Sequence, residues 1–285
     1  MIDYDPHHWR TTFFAIKGSM VRVISLRAAM VTLVALAITL VHFHLYEFKF
    51  QNPLVVHGFV GTALGLLLVF RTNQSYDRWW EGRKLWGTMV NTCRNLARSS
   101  SVHLAGQPET LKRVLQLAQA FPEASMFTLR GTTWQPVGVH PDDAAFIAAR
   151  NHRPTAICQR ITTLLEGERK AGRLSDMVFT SIDHNCQTLI DVIGACERIH
   201  KTPLPFAYVV HLRRALVLYC ATLPVGLVET FGWAALGIVF GVTYILLGIE
   251  EIGVEIEDPF EGDDNDLPLE AISEGIRKSV AEYVP

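Results

Sequence analysis

Three apolar stretches, each about as long as a membrane-spanning helix, constrain this chain more than any other feature. Ala28 to Tyr46, Phe50 to Phe70 and Thr230 to Ile249 contain no Asp, Glu, Lys or Arg. The hydrocarbon core of a bilayer is about 30 Å thick, and a helix needs roughly 20 apolar residues to cross it. Three such stretches predict a membrane protein rather than a soluble protein with three buried helices.

A fourth, weaker stretch lies within residues 202–228 and is interrupted by Arg213 and Arg214. We interpret these two arginines as interfacial residues whose side chains extend toward the lipid headgroups. Pro224 and Gly226 predict a turn between the third and fourth spans. The chain is therefore predicted to have four transmembrane helices.

Basic residues indicate the orientation, because cytoplasmic loops carry an excess of Lys and Arg. The short loop between the first two spans has only Lys49. The basic residues that precede the first span or follow the second are Arg10, Lys17, Arg22, Arg27, Arg71, Arg78, Arg83 and Lys84. Both termini and the long middle segment are therefore predicted to be cytoplasmic. No signal peptide is expected, because the first apolar stretch is too long and has no A-x-A-type site.

The middle of the chain is predicted to be helical, with no strand-rich stretch. Apolar and aromatic residues recur at helical spacing from Ser75 to Arg98, so the second span is expected to continue into this region as one long helix or with a slight break. Further helices are predicted at 141–168 and 174–200, separated from the first by a loop at 131–140. The fold class is therefore all-α.

Five segments follow from these patterns. They are a cytosolic N-terminal segment (1–27), transmembrane helices 1 and 2 (28–70), a cytosolic helical region (71–201), transmembrane helices 3 and 4 (202–249) and an acidic cytosolic C-terminal segment (250–285).

Composition argues against several functional classes. Lys and Arg total 26 and Asp and Glu total 28, which does not suit a nucleic-acid binder with a broad basic face. The five cysteines are scattered and suggest no disulfide framework. We find no GxSxG, P-loop, GxGxxG or HExxH motif and no pair of catalytic carboxylates. An enzyme is not expected, and neither is an organic cofactor.

The second span carries small residues at helix-packing intervals. Gly61 and Gly65 form a GxxxG pair, and Gly58 lies three residues earlier on a similar face. Small residues at this spacing let helices approach closely in lipid. We therefore interpret the three glycines as helix-packing positions.

Thr62, Leu66 and Phe70 form a second row on the same helix, at intervals of about 6 Å along its axis. If several copies of the helix surround an axis, each row residue becomes a ring, and apolar rings can gate a pore by dewetting. From spacing alone, ordinary contact with lipid or another helix explains the row better. The span contains no Asp, Glu or Lys, which favours passive conduction over coupled transport.

Long motifs resemble a known family. RTNQSYDRWWEGRKLWG (Arg71 to Gly87) is similar to the signature of the bestrophin family in its bacterial branch, and CERIHKTPLPFAY (Cys196 to Tyr208) resembles its second landmark. HHW (His7 to Trp9) and GSM (Gly18 to Met20) also fit. The similarity extends to about Leu269.

The resemblance implies a homopentameric ion channel in the inner cell membrane. Each subunit is expected to have four membrane spans and a large helical cytosolic part, with five copies of the second span lining a hydrophobic neck. The expected partners are the other subunits, the bilayer and small monovalent ions, chloride foremost, with no nucleic acid. The neck positions fall on Thr62, Leu66 and Phe70. The family usually has a bulky apolar residue at the outermost ring, so Thr62 is expected to make a wetter outer neck.

The resemblance also implies a second, cytosolic constriction on or beside the helix of Leu174 to Ile190. Ile182 is the first candidate and Phe179 the second, although an Ile packed in the core of the subunit is an equal alternative. The residues around RWW are interpreted as a structural joint, because the tryptophans supply large apolar area and the charges can pair. This joint comprises Asp77, Arg78, Trp79, Trp80 and Glu81.

Residues 250–266 contain nine acidic residues and no basic one. DPFEGDDND (258–266) resembles the acidic calcium clasp of animal bestrophins, and clustered carboxylates are ligands that Ca²⁺ prefers. The candidate ligands are Asp258, Glu261, Asp263, Asp264 and Asp266. A solvated acidic linker is the alternative. An acidic ring would also raise the local cation concentration, which is an argument against assuming anion selectivity.

Three functions remain open from the sequence. The first is a channel for small monovalent anions, the second a cation (Na⁺ or K⁺) channel of the same architecture, and the third a membrane scaffold or sensor that conducts no ions.

Overall fold

The structure is a computed structural model that describes residues 18–47 and 53–284, together with His7, Arg10 and residues 13–16. Within these ranges the chain is helical and has no strand, which confirms the all-α prediction. The loop predicted to join the first two spans lies almost wholly outside the described residues, as do Lys17, Lys49 and most of the HHW motif.

The α-helices of the described ranges are α1 (Val21–His44), α2 (Pro53–His103), α3 (Pro108–Leu129), α4 (Pro141–Ala148), α5 (Arg153–Lys170), α6 (Asp176–Lys201), α7 (Phe206–Phe231), α8 (Ala235–Glu255) and α9 (Leu269–Ala281). A short 3₁₀ helix, Gly232–Ala234, separates α7 from α8. Three stretches are long and apolar enough to cross a membrane: α1, α2 and the stretch that contains α7 and α8.

The chain divides into two compact units. The first, called here the spanning unit, contains the chain up to Arg78 together with Pro203–Asp258. The second, called the core unit, contains Trp79–Thr202 and the chain from Pro259 onward.

In the spanning unit, α1, α7 and α8 pack against one another. Ala35 of α1, Leu223 and Leu227 of α7, and Ala235 and Val239 of α8 share one buried apolar cluster. These side chains are small or aliphatic, so the three helices approach closely within this cluster.

The predicted turn at Pro224 and Gly226 is wrong. Helix α7 continues through both residues to Phe231, and the chain turns only at Gly232, which has φ 54°. A positive φ costs glycine nothing, because it has no Cβ. Pro224 is tolerated inside an apolar helix, where neighbouring helices and local adjustments satisfy the freed carbonyl.

Helix α2 is continuous over 51 residues, as the sequence predicted for the second span and the segment after it. It contains no proline after its first residue, so nothing in its sequence removes a backbone hydrogen bond along its length.

The core unit surrounds one apolar core to which the second half of α2 contributes Trp86, Met89 and Leu96. Helix α3 packs against α5, α6 and α9, and α5 packs against α4 and α6. The segment predicted as one helix at 141–168 is two helices, and each begins with a proline in its first turn after a histidine whose ring accepts a backbone N–H. Helix α9 was not predicted, because it lies in the segment read as an acidic tail.

Candidate pore face of helix α2

One side of α2 is buried against α7 in the spanning unit. Leu64 and Leu68 are almost fully buried and form an apolar cluster with Leu212 and Leu216. Tyr208 adds a polar contact, since its hydroxyl donates to the backbone carbonyl of Leu67 at 2.8 Å. These contacts determine which side of the helix faces its own subunit.

Thr62, Leu66 and Phe70 lie on the opposite side of α2, because a residue turns by about 100° in an α-helix. All three are exposed, with Leu66 58% and Phe70 53% accessible. The Thr62 hydroxyl donates to the Gly58 carbonyl at 2.9 Å. The three residues therefore form one exposed face on an apolar helix, available to a partner outside the subunit or to lipid.

Phe59 belongs to the same face, although the row predicted from the sequence begins only at Thr62. Its side chain is 75% exposed and lies seven residues, or two helical turns, before Leu66. The sequence does contain the signal for Phe59, because an apolar residue two helical turns before Leu66 lies on the same face of the helix.

The three glycines differ in their surroundings. A Cβ on Gly61 would lie 2.8 Å from the Tyr219 hydroxyl oxygen, so this glycine permits a close approach of α7. A Cβ on Gly58 or Gly65 would meet no described atom within 4 Å. Gly61 therefore packs within the subunit, whereas Gly58 and Gly65 lie on open surface.

The residues of the predicted joint follow one another along α2, and each makes its contacts within its own unit. In the spanning unit, Arg78 donates from Nε to the Glu257 carbonyl at 2.8 Å, and Asp77 is exposed. In the core unit, Trp79 donates from Nε1 to the Asn265 carbonyl at 3.2 Å, and its ring stacks on that of Trp80. Glu81 pairs with Arg198 at 2.7 Å.

Comparison with known proteins identifies the family. Residues 1–282 match the sequence profile of the family described as Bacterial/Fungal Bestrophin protein. The chain belongs to the bacterial and fungal bestrophin family. The resemblance that the motifs indicated is therefore confirmed over nearly the whole chain.

Relatives and a solved structure agree with this assignment. A voltage-dependent anion channel-forming protein of Nostoc is 38% identical over 96% of this bestrophin and 91% of that protein. A protein of the same name from Escherichia coli K12 is 30% identical over 97% and 91%. The crystal structure of a bacterial bestrophin homologue from Klebsiella pneumoniae superposes with a TM-score of 0.84 at 28% identity, covering 92% of this chain and 98% of that one.

The predicted cytosolic constriction at Ile182 is wrong for this bestrophin. Ile182 is 0% exposed and belongs to the apolar core of the core unit, so it cannot line an aqueous passage. Phe179 is half-buried against the same core, with the Arg169 guanidinium 5.9 Å from its ring centroid. The most exposed apolar side chain of α6 is Met177, at 83%. Ile182 was chosen because it is apolar. The sequence does not show which face of α6 points toward the core and which toward solvent, and the structure does.

Part of the acidic segment makes hydrogen bonds within the subunit. Among the residues that the structure describes, no group of three or more His, Cys, Asp or Glu side chains is placed to hold a metal ion. Asp266 is buried, and its Oδ2 accepts the backbone N–H groups of Gly262 and Asp263 at 2.6 and 2.9 Å. This carboxylate stabilises a tight turn within the subunit, and the calcium clasp that the sequence suggested stays a prediction.

The cysteines of the core unit are protected. Burial raises the pKa of the Cys93 and Cys196 thiols to about 12. A hydrogen bond with Cys186, together with burial, raises the pKa of Cys158 well above its usual value. Thiols in this state are protonated at neutral pH and are poor nucleophiles.

Proposed function

We propose that this bestrophin assembles as a homopentamer in the inner cell membrane, with both termini cytoplasmic, and conducts small monovalent anions passively along helix α2. Each subunit crosses the bilayer four times in this proposal, through α1, the apolar part of α2, α7 and α8. The observation that carries it is the exposed face of Thr62, Leu66 and Phe70, opposite the side of α2 that packs in its own subunit.

The same face of α2 changes from apolar to polar along the helix, as expected for a face that lines a pore. After Phe70, the next exposed residues on this side are Asn73 and Asp77, which are polar. An apolar constriction followed by polar positions suits a neck that opens into water. Gly58 and Gly65 supply open, small positions where a neighbouring copy of α2 can approach.

Anion conduction is supported by the name of the relatives, which are described as anion channel-forming proteins. Ion pairing leaves the acidic segment with less free negative charge to attract cations. Glu250 pairs with Arg213, Glu251 with Arg27 and Glu257 with Arg71, so these three carboxylates do not act as free charges. The proposal assigns no catalytic role to any residue.

A second constriction is placed at Met177 rather than at Ile182. Met177 is a flexible apolar side chain in the first turn of α6 and is free of the subunit core. In a pentamer, one exposed apolar residue repeated around the axis forms a narrow ring.

Planar-bilayer recording of the purified protein tests the proposal. Substitution of Thr62, Leu66 and Phe70 by Ala should raise the current, because smaller side chains lower the dewetting barrier. Substitution of Leu26, Met30 and Leu33 of α1, which are equally exposed, should leave the current unchanged.

Reversal potentials in asymmetric NaCl determine the sign of the permeant ion. A reversal potential near that of Na⁺ would reject anion conduction and retain the neck. Equal currents in wild type and the α2 triple variant would reject the neck, and absence of current in wild type would favour a scaffold.

A further inference from the structure

A buried arginine directly follows the innermost residue of the proposed neck. Arg71 is 1% exposed and lies on the packed side of α2, while Phe70 lies on the exposed side. The Nη2 atom of Arg71 is 3.4 Å from Glu257 Oε2 and 3.8 Å from Glu250 Oε1. Its Nε and Nη1 atoms are buried and have no hydrogen-bond partner among the described residues.

Both carboxylates make their shorter contacts elsewhere. Glu250 accepts from Nε of Arg213 at 2.8 Å, and Glu257 accepts from the backbone N–H of Leu204 at 2.9 Å. Arg71 therefore sits between two anions that other groups already hold in place. Gly253 makes room for it, since a Cβ there would lie 3.3 Å from Arg71 Nε.

This geometry is a long hydrogen bond to Glu257 together with a looser ion pair to Glu250. Contacts of 3.4 and 3.8 Å are long for a charge-assisted hydrogen bond, which is usually shorter than 3 Å. A buried guanidinium nevertheless has a strong preference to stay beside carboxylates, because leaving them exposes an uncompensated charge to an apolar environment. The attraction thus fixes where the Arg71 side chain lies and, because the two residues are adjacent in α2, which way Phe70 points.

The outer end of the same row is positioned by different contacts. Gly61 packs on Tyr219, and Leu64 packs in the apolar cluster with Leu212 and Leu216. Thr62 lies between these two residues and is therefore oriented by shape rather than by charge.

We propose that Arg71 is a positioning residue for the innermost ring of the neck. Its attraction to Glu250 and Glu257 holds Phe70 toward the axis, and its loss frees Phe70 while leaving Thr62 in place. The inference rests on the proposed function, because it gives Phe70 the role of a ring residue.

The decisive variant is Arg71→Met, which keeps a long side chain and removes the charge. Glu250 keeps Arg213 and Glu257 keeps the Leu204 N–H, so neither carboxylate loses all its partners. The matched control is Arg27→Met, which removes the ion pair with Glu251 and alters no contact of α2.

Spin-label distances within one subunit report the orientation of α2 directly. Phe70→Cys or Thr62→Cys is combined with Leu218→Cys on the exposed side of α7, and labelled subunits are assembled with an excess of unlabelled ones. The five native cysteines are buried, and a sample without introduced cysteines measures their background. Arg71→Met should broaden the 70–218 distance distribution and leave the 62–218 distribution unchanged, whereas Arg27→Met should change neither.

Conduction is measured on unlabelled protein. Arg71→Met should raise the current about tenfold, since loss of a buried charge contact is worth at least this factor in a conformational equilibrium. Arg71→Lys should restore most of the wild-type behaviour, because it returns a cation to the same place.

Equal broadening at positions 62 and 70, or none at 70, would overturn the inference. If Arg71→Met does not assemble, Glu257→Gln decides instead, since it removes the nearer negative charge and keeps an oxygen for the Leu204 N–H. If the 70–218 distance distribution stays narrow in Glu257→Gln, the inference about Arg71 is also overturned. Absence of current in wild type would reject the proposed function alone, because the distances are measured within one subunit.

Discussion

Each unit of the molecule buries an arginine–carboxylate cluster, and the two clusters are built differently. In the core unit, Asp143 accepts from Arg113 at 2.9 Å through Nε and at 2.5 Å through Nη2, and it also accepts from Arg160. In the spanning unit, Arg71 reaches its two carboxylates only at 3.4 and 3.8 Å and keeps two donors without partners among the described residues.

The difference separates a cluster held by hydrogen-bond geometry from one held mainly by charge attraction. Burial acts to raise the pKa of Asp143, but the hydrogen bonds from Arg113 and Arg160 outweigh it and hold this pKa below its usual value. A fully satisfied buried network is rigid, because every alternative arrangement leaves a polar group without a partner. The Arg71 cluster is held more by charge attraction than by hydrogen-bond geometry, so removal of its charge is the change expected to release it.

Asp143→Ala should give the largest effect, since it leaves two arginines without their buried anion. We expect a loss of about 3–5 kcal/mol in the free energy of unfolding of the core unit. Thermal unfolding followed by circular dichroism measures it. Asp142→Ala is the control, because Asp142 is exposed and its Oδ2 atom lies 3.8 Å from His140 Nδ1, which is too far for a hydrogen bond. A larger loss in Arg71→Met than in Asp143→Ala would reverse the comparison.

Gly61→Ala should give a smaller loss, confined to the spanning unit. The new Cβ would lie 2.8 Å from the Tyr219 hydroxyl, and overpacking of this kind costs about 1–3 kcal/mol. Gly65→Ala should leave the stability of the subunit unchanged, since its Cβ meets no described atom within 4 Å. Reduced pentamer formation in Gly65→Ala, measured by native mass spectrometry, would place Gly65 at a subunit contact. Equal stability of both variants would contradict the α2–α7 packing.

Acid should weaken the core-unit cluster in a defined window. The pKa of Asp143 is lower in the folded state, so its contribution to stability is present above the unfolded value of about 3.9 and is lost as pH falls below it. The melting temperature of wild type should therefore fall more steeply below about pH 4 than that of Asp143→Asn. Parallel pH profiles for the two proteins would show that Asp143 is not linked to acid unfolding.

Calcium should have the smallest effect. Asp266 is engaged with backbone N–H groups, and no described cluster of carboxylates fits a metal ion. Equal melting temperatures and currents with chelator and with millimolar Ca²⁺ are expected. A calcium-dependent rise that disappears in Asp264→Asn would show that the acidic segment binds the ion between subunits.

The sequence predicted those features that depend on one helix at a time. The row at Thr62, Leu66 and Phe70 follows from spacing along α2, and the structure places all three on one exposed face. Whether an apolar residue faces the core is a property of the neighbouring helices, so Ile182 was assigned to the wrong side of α6.

Contacts between distant segments were beyond sequence reasoning. Arg71 and Glu257 are 186 residues apart, and nothing in the local pattern of either residue indicates the other. The turn predicted at Pro224 was wrong for a related reason. A proline often indicates a turn in a soluble protein, whereas a helix packed among other apolar helices accommodates it without a turn.

The hydroxyl of Thr62 has a consequence for any ion that passes it. Its proton is directed to the Gly58 carbonyl of its own helix, so the side chain presents a methyl group and oxygen lone pairs outward. In a ring of five such residues, a chloride ion meets no donor able to replace a water molecule from its hydration shell. In the proposed pentamer, the anion therefore crosses the mouth of the neck still carrying its water.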